Sequence, residues 1–268
     1  MIPVIIEKGQ SPLILGMPHG GTYLSDDIFA RLNDNGKILA DTDWHIATLY
    51  QNLVPEVTVV EATFHRYIID ANRDPVGVSL YPNQNTTTLC PLTDFDGKDI
   101  WQTGEAPSLD EIKSRAEKFH TPYHQALKAE IERIKAIYGY AILFDCHSIR
   151  ANIPFLFEGI LPTFNIGTNI GQTCAAPIEK ITLDICENAE IYSSVINERF
   201  KGGWTTRHYG QPQDNVHAIQ MELAQSAYMQ EQIPWDYNFE AAAKVRPYLA
   251  NILKSLIELD VPKHTKGN

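Results

Sequence analysis

Cysteine is scarce in this sequence: four residues in 268, Cys90, Cys146, Cys174 and Cys186, with no CxxC pair among them. That spacing excludes a disulfide-dense secreted scaffold and a clustered-thiolate zinc site, and reduced thiols are the expected state. Basic charge is in deficit too, with 22 Lys and Arg against 33 Asp and Glu and a formal charge of −11. A chain of this kind has no electrostatic footprint for nucleic acid and is repelled by an anionic membrane surface. Any anionic substrate would have to be held by individual arginines. No apolar run approaches the ~20 residues of a membrane span, and no N-terminal stretch joins a basic start to a long apolar core. The expectation is a soluble, cytoplasmic protein. Repeats, low-complexity tracts and breaks in composition are also absent, so a single domain over residues 1–268 is expected, large enough to bury a substantial core.

What is present is alternation. "VIIEKG", "LILGM", "EVTVVEATF", "RYIIDA", "YAILFDCHSI", "PTFNIGT" and "HAIQMELA" read as strands. "SDDIFARLND" and "DTDWHIATLYQNL" carry acidic caps ahead of apolar residues at helical spacing. From Ser108 to Tyr138 the pattern predicts one kinked helix or two consecutive ones around Pro122, with further helices near "APIEKITLDICENAE" and in the closing "NFEAAAKVRPYLANILKSLIEL", interrupted or started near Pro247. Strands alternating with helices predict an α/β fold with a largely parallel sheet covered on both faces. The polar stretch from about Pro75 to Pro107 has no clear periodicity and is too long for an ordinary connection, which suits a lid or wall.

Ligands of such sheets bind at the carboxyl ends of the strands. "YAILFDCHSI" ends in Asp145, Cys146, His147 and Ser148, groups that are costly to bury. Alternation puts Asp145 and His147 on one face and Cys146 on the other, which argues against a Cys/His nucleophile pair. "LILGMPHGG" repeats the pattern with His19. Two histidines at two strand ends suggest a metal, and a catalytic zinc needs a third protein donor. HExxH is absent, so other histidines and many carboxylates stay open for that place. In "FHRYIIDANRDP", Asp70, Asn72 and Arg73 crowd together after an apolar run, with Arg66 shortly before, an expensive arrangement unless the groups have partners. In "QMELAQSAYM", Glu222 faces away from Met221 and Leu223.

"PHGG", "DTDWHIATLY", "FHRYIIDANRDP", "YPNQNTTTLCP", "FDGKDIW", "DCHSI", "FKGGWTTRHYGQP" and "HAIQMELAQSAYM", taken in order, resemble the N-formylglutamate amidohydrolase (deformylase) family, from about residue 3 to 255. The resemblance implies a three-layer α/β/α sandwich with a mixed sheet, of the zinc-carboxypeptidase and aspartoacylase-like group. It implies zinc-dependent hydrolysis of N-formyl-L-glutamate to formate and L-glutamate, a step of histidine degradation, with an acidic N-formyl amino acid as the partner molecule. His19 and His147 match zinc-binding histidines of the group. The Glu that follows the first His by three residues in carboxypeptidase-like members is Thr22 here, so Asp43 is taken as third ligand, with His45 in reserve. Asp70 resembles the carboxylate that orients the first histidine, Asn72 and Arg73 the pair that holds a substrate carboxylate, Arg66 the arginine beside the scissile carbonyl, and Glu222 the catalytic glutamate. Arg207, in "GGWTTRHYG", is the expected contact for a second carboxylate, and "YPNQNTTTL" the expected lid. Zinc or another divalent cation is the expected cofactor. Two other readings stay open: a related zinc amidohydrolase for another acidic N-acyl amino acid, and a metal-free anion-binding protein on the same fold.

Overall fold

The computed structural model describes residues 1–78 and 85–261. The seven strands among them, β1 (Val4–Glu7), β2 (Leu13–Met17), β3 (Thr58–Ala62), β4 (Ala141–Ile149), β5 (Phe164–Gly167), β6 (Ser194–Ile196) and β7 (Val216–Ala224), join one sheet in the order β1-β3-β2-β4-β7-β5-β6. The centre is parallel, β3 with β2, β2 with β4 and β4 with β7. The antiparallel pairs are β1 with β3 and β5 with β7.

Both faces are covered, and alternation along the strands decides which side chain goes where. Leu13, Leu15, Ile142 and Phe144 face a core built with α2 (Ile46–Tyr50), α5 (Ala176–Glu187) and α7 (Phe239–Glu258). Ile14, Val60 and Leu143 face the opposite core, against α4 (Thr121–Tyr138). Two short helices complete the set among the described residues, α1 (Asp26–Arg31) and α6 (Trp204–Tyr209), with α3 (Leu109–Arg115) leading into α4. All nine residues of β4 and of β7 are buried. Each Leu, Ile or Phe so enclosed contributes about 1.5–3 kcal/mol relative to exposure, which ties the middle of the sheet down most firmly. Among the described residues no helix is long and apolar enough to cross a membrane.

Three elements differ from the sequence reading. "RYIIDA" is not a strand: residues 66–71 are a run of turns, although Tyr67, Ile68 and Ile69 are fully buried. Its carbonyls bond to side chains in place of a ladder partner. Arg115 Nη1 donates to Ile68 O at 2.8 Å, and His124 Nε2 lies 2.8 Å from Ala71 O. The helix around Pro122 does not break there, because a π-turn (Ala116–His120) links α3 to α4 and leaves Pro122 in the first turn of α4, where its missing N–H costs little. Pro247 does not interrupt α7, which runs from Phe239 with Asn238 Oδ1 accepting from Ala241 N at 3.0 Å. Pro247 stands on the exposed face, where solvent can take the carbonyl freed one turn earlier.

Candidate active site

The polar end of β4 lies beside the ends of its two parallel neighbours. His19 follows β2 by two residues, and strand pairing sets Asp145 opposite Gln220 and His147 opposite Glu222. Cys146 faces the other side, into the core with Ile142 and Phe144. The cost of burying these groups is met in part by their neighbours. Asp145 Oδ2 accepts from Thr206 Oγ1 at 2.8 Å, and Asp145 Oδ1 lies 3.1 Å from His147 Nε2.

Asp43 reaches the same point from the loop before α2. Its N–H donates to His19 O at 3.1 Å, and its Oδ2 accepts from Ser148 N at 3.1 Å. His19 Nδ1 is 3.2 Å from His147 Nδ1, and Asp43 Oδ2 is 3.8 Å from the first and 3.3 Å from the second. The Nε2 atoms of both rings face carboxylates, His19 toward Asp70 Oδ1 at 2.7 Å and His147 toward Asp145. The Nδ1 atoms of both rings and a carboxylate oxygen thus converge on one buried spot, an arrangement suited to a cation or proton among them. Donors bound at about 2.1 Å in tetrahedral geometry stand roughly 3.4 Å apart, so this trio fits a divalent ion such as zinc. His45, the reserve ligand, is elsewhere: its Nε2 lies 2.7 Å from Trp235 O, and its left-handed backbone (φ 61°) precedes the five-residue α2. Thr22 is exposed.

The turns of residues 66–73 bring the remaining candidates. Asp70 holds His19 and also accepts from Asn72 N at 2.8 Å. Arg66 Nη2 donates to Asp43 Oδ1 at 3.0 Å, with its guanidinium 4.9 Å from the centre of the Phe95 ring. Asn72 Nδ2 lies 3.1 Å from His147 Nε2, while its Oδ1 accepts from Thr205 N at 2.8 Å. Arg73 donates from Nε to Thr87 O and from Nη2 to Thr87 Oγ1. Helix side chains fix the backbone that carries the pair. His124 meets the carbonyl of Ala71, and His120 Nε2 lies 3.0 Å from that of Arg73.

Burial opposes charge on His147, yet Asp145 and Asp43 outweigh it and hold the imidazolium well above its usual range. Burial likewise opposes ionisation of Asp43 and Asp70. The histidines and Arg66 outweigh it for Asp43, and Arg73, His19 and Arg66 do so for Asp70, keeping both carboxyls well below the usual range. Glu222 goes the other way. Burial pushes it up to about 8 against the pull of His147, and Gln220 Nε2 donates to its Oε2 at 3.1 Å. A cation placed among the three donors would favour the Glu222 carboxylate.

His19, His147, Glu222, Arg66, Asn72 and Arg73 all line one cavity. Arg207 does not. Its Nε donates back to Gly202 O at 2.8 Å on the turn into α6, and the arginine that lines the cavity from this part of the chain is Arg199. The glycines of "GGW" do permit a close approach, but to Asn72: a Cβ on Gly203 would stand 2.3 Å from Asn72 Nδ2. Residues 81–84 of the expected lid lie outside the described residues, and Thr86–Leu89 form part of the wall. The sequence reading does not single out Gln220 or Arg199. Gln220 had a signal, standing two residues before Glu222 on a strand and therefore on the same face.

The sequence profile of the family described as N-formylglutamate amidohydrolase matches residues 11–229. The N-formylglutamate deformylase of Pseudomonas aeruginosa is 44% identical over 253 residues, 94% of each chain. That of Pseudomonas putida is 42% identical over 251 residues, 93% of this chain and 94% of its own. The crystal structure of an N-formylglutamate amidohydrolase from Ralstonia eutropha JMP134 is similar with a TM-score of 0.79 at 24% identity, covering 96% of this chain and 98% of that one. A gene product of Agrobacterium tumefaciens, 17% identical, gives 0.67 over 96% of both. At these identities the two structures speak for the fold alone.

Proposed function

This chain belongs to the N-formylglutamate amidohydrolase family, and on that premise we propose that it hydrolyses N-formyl-L-glutamate to formate and L-glutamate with the help of a divalent cation, zinc in the first instance. The observation that carries the reading is the convergence of His19, Asp43 and His147, far apart in sequence, at a cavity that His19, His147 and Glu222 line. His19, Asp43 and His147 are the proposed protein ligands. When bound, zinc supplies Lewis acidity and brings the pKa of a water molecule toward ~7.

The chain's own residues do the rest. Asn72 and Arg73 hold one carboxylate of the substrate, the arginine through a planar fork suited to two-point contact. Arg66, fixed by Asp43 and Phe95, faces the charge that develops on the formyl oxygen. Glu222 accepts a proton from the attacking water as the new C–O bond forms at the formyl carbon. It returns that proton to the amide nitrogen as the C–N bond breaks, so that no proton is gained or lost by the protein over the cycle. Asp70 fixes the ring of His19 and raises its basicity as a ligand. The same reading assigns the reaction to histidine degradation and the protein to the cytoplasm.

The test is release of formate from N-formyl-L-glutamate, beside N-formylaspartate and N-acetylglutamate, before and after chelation and readdition of zinc. Formate release that is lost on chelation and restored by the ion is expected. Preferential release of acetate would move the assignment to another acyl group, and full activity after verified removal of all metal would end the metal assignment. Glu222→Gln is expected to keep the bound ion and lose about 100-fold or more of kcat. Wild-type turnover in that variant would remove Glu222 from its role.

A further inference from the structure

We propose that Arg199 selects substrates carrying a carboxylate on the side chain; this rests on the deformylase reading. A substrate with two carboxylates and a scissile amide needs two anion contacts besides the reacting centre. The described residues lining the cavity include three arginines, Arg66, Arg73 and Arg199. The first two share their charge with the inner carboxylates. Arg66 lies 3.0 Å from Asp43 and 3.7 Å from Asp70, and Arg73 Nη1 lies 3.7 Å from Asp70. Together they can serve the formyl oxygen and one carboxylate.

Arg199 enters the lining from the loop after β6. Its Nε donates to Leu156 O at 3.0 Å and its Nη2 to Asn85 O at 3.1 Å. Asn85 Nδ2 in turn donates to Phe155 O at 2.7 Å. Three loops are thus laced together around one guanidinium, and the carbonyls of Leu156 and Asn85 help fix its plane. A cation oriented in advance loses less freedom on meeting a carboxylate. Leu89, Phe95, Ile149, Leu156 and Phe200 supply apolar lining in the same cavity, suited to the methylenes that separate the two charged ends of glutamate. Arg199 thereby takes the place that sequence reasoning gave to Arg207.

The experiment measures kcat/KM for N-formylglutamate and its neutral isostere N-formylglutamine in the metal-loaded wild-type protein, Arg199→Met and Arg199→Lys. Losing the charged partner of a bound carboxylate costs about 100-fold or more, so Arg199→Met is expected to reduce the glutamate-to-glutamine preference by that factor, with Arg199→Lys recovering part of it. A preference that survives in Arg199→Met, or an equal loss on both substrates such as a merely structural role would give, overturns the proposal. If Arg199→Met does not fold, a wild-type preference retained in Arg199→Lys does the same, because a point charge lacks the planar fork. A wild-type protein that cleaves neither compound would instead overturn the deformylase reading, so the two failures are distinct.

Discussion

His19 Nδ1 and His147 Nδ1 lie 3.2 Å apart, each ring held from behind by a carboxylate, Asp70 for the first and Asp145 for the second. Asp145 and Asp43 favour the charged ring of His147 and raise its pKa well above the usual range of histidine, with burial opposing. Metal binding requires the neutral ring, so loading has to expel a proton. Calorimetric titration of zinc in buffers of different ionisation enthalpy should show proton release near pH 7, with apparent affinity rising with pH. Binding with no buffer dependence would contradict the arrangement.

Asp70 makes a separate claim. Replacing it with Asn keeps the shape but removes the charge that orients His19, and partners of this kind are worth about 10- to 100-fold in metal affinity. Competition against a chromogenic chelator should register that loss in Asp70→Asn. An unchanged dissociation constant would mean that the 2.7 Å contact contributes nothing to holding the ion.

His124 predicts an acid-sensitive part of the stability. Burial, assisted by His120, brings its pKa down to about 3, while in the unfolded chain it titrates near 6.5. Between these values the unfolded state binds the extra proton, so this contribution is complete above pH 6.5 and is lost as pH falls toward 3. At pH 5 the loss amounts to about 2 kcal/mol. Denaturant unfolding of wild type and His124→Gln at pH 7 and pH 5 should show a flatter response in the variant. Parallel responses would refute the assignment.

Gly203 predicts a binding defect without a metal defect. A methyl group there would stand 2.3 Å from Asn72 Nδ2, and Asn72 is 5% exposed with its Oδ1 held by Thr205 N, so the amide must move. Gly203→Ala is expected to raise KM for N-formylglutamate about tenfold or more, a cost of the size that misplacing one hydrogen-bonded group incurs, while zinc stoichiometry is kept. Wild-type KM would show that Asn72 does not hold the substrate.

The strand ends were legible because period-2 alternation is a strong signal. It put Asp145 and His147 on one face and Cys146 on the other, and the pairing of His147 with Glu222 then followed from the order of strands in space, which no sequence pattern states. The turns of 66–71 were misread because Tyr67, Ile68 and Ile69 have the composition of a strand, and nothing local reveals that Arg115 and His124 would satisfy their carbonyls from a helix. Arg207 stands out in the sequence for its neighbouring glycines, whereas Arg199 carries no local signal. The choice depends on which guanidinium meets the carbonyls of Leu156 and Asn85, residues too distant in the chain for spacing to connect.

The support that Arg115, His120 and His124 lend to residues 67–73 has a bearing on how this molecule could be altered. None of the three lines the cavity, yet each grips the segment that presents Asn72 and Arg73. If Asn72 and Arg73 hold the substrate as proposed, its recognition should be tunable from the rear, by exchanging helix side chains that do not line the cavity, while the strand tips beneath stay as they are. A library restricted to Arg115, His120 and His124 is expected to reshape selectivity without touching the groups assigned to the chemistry.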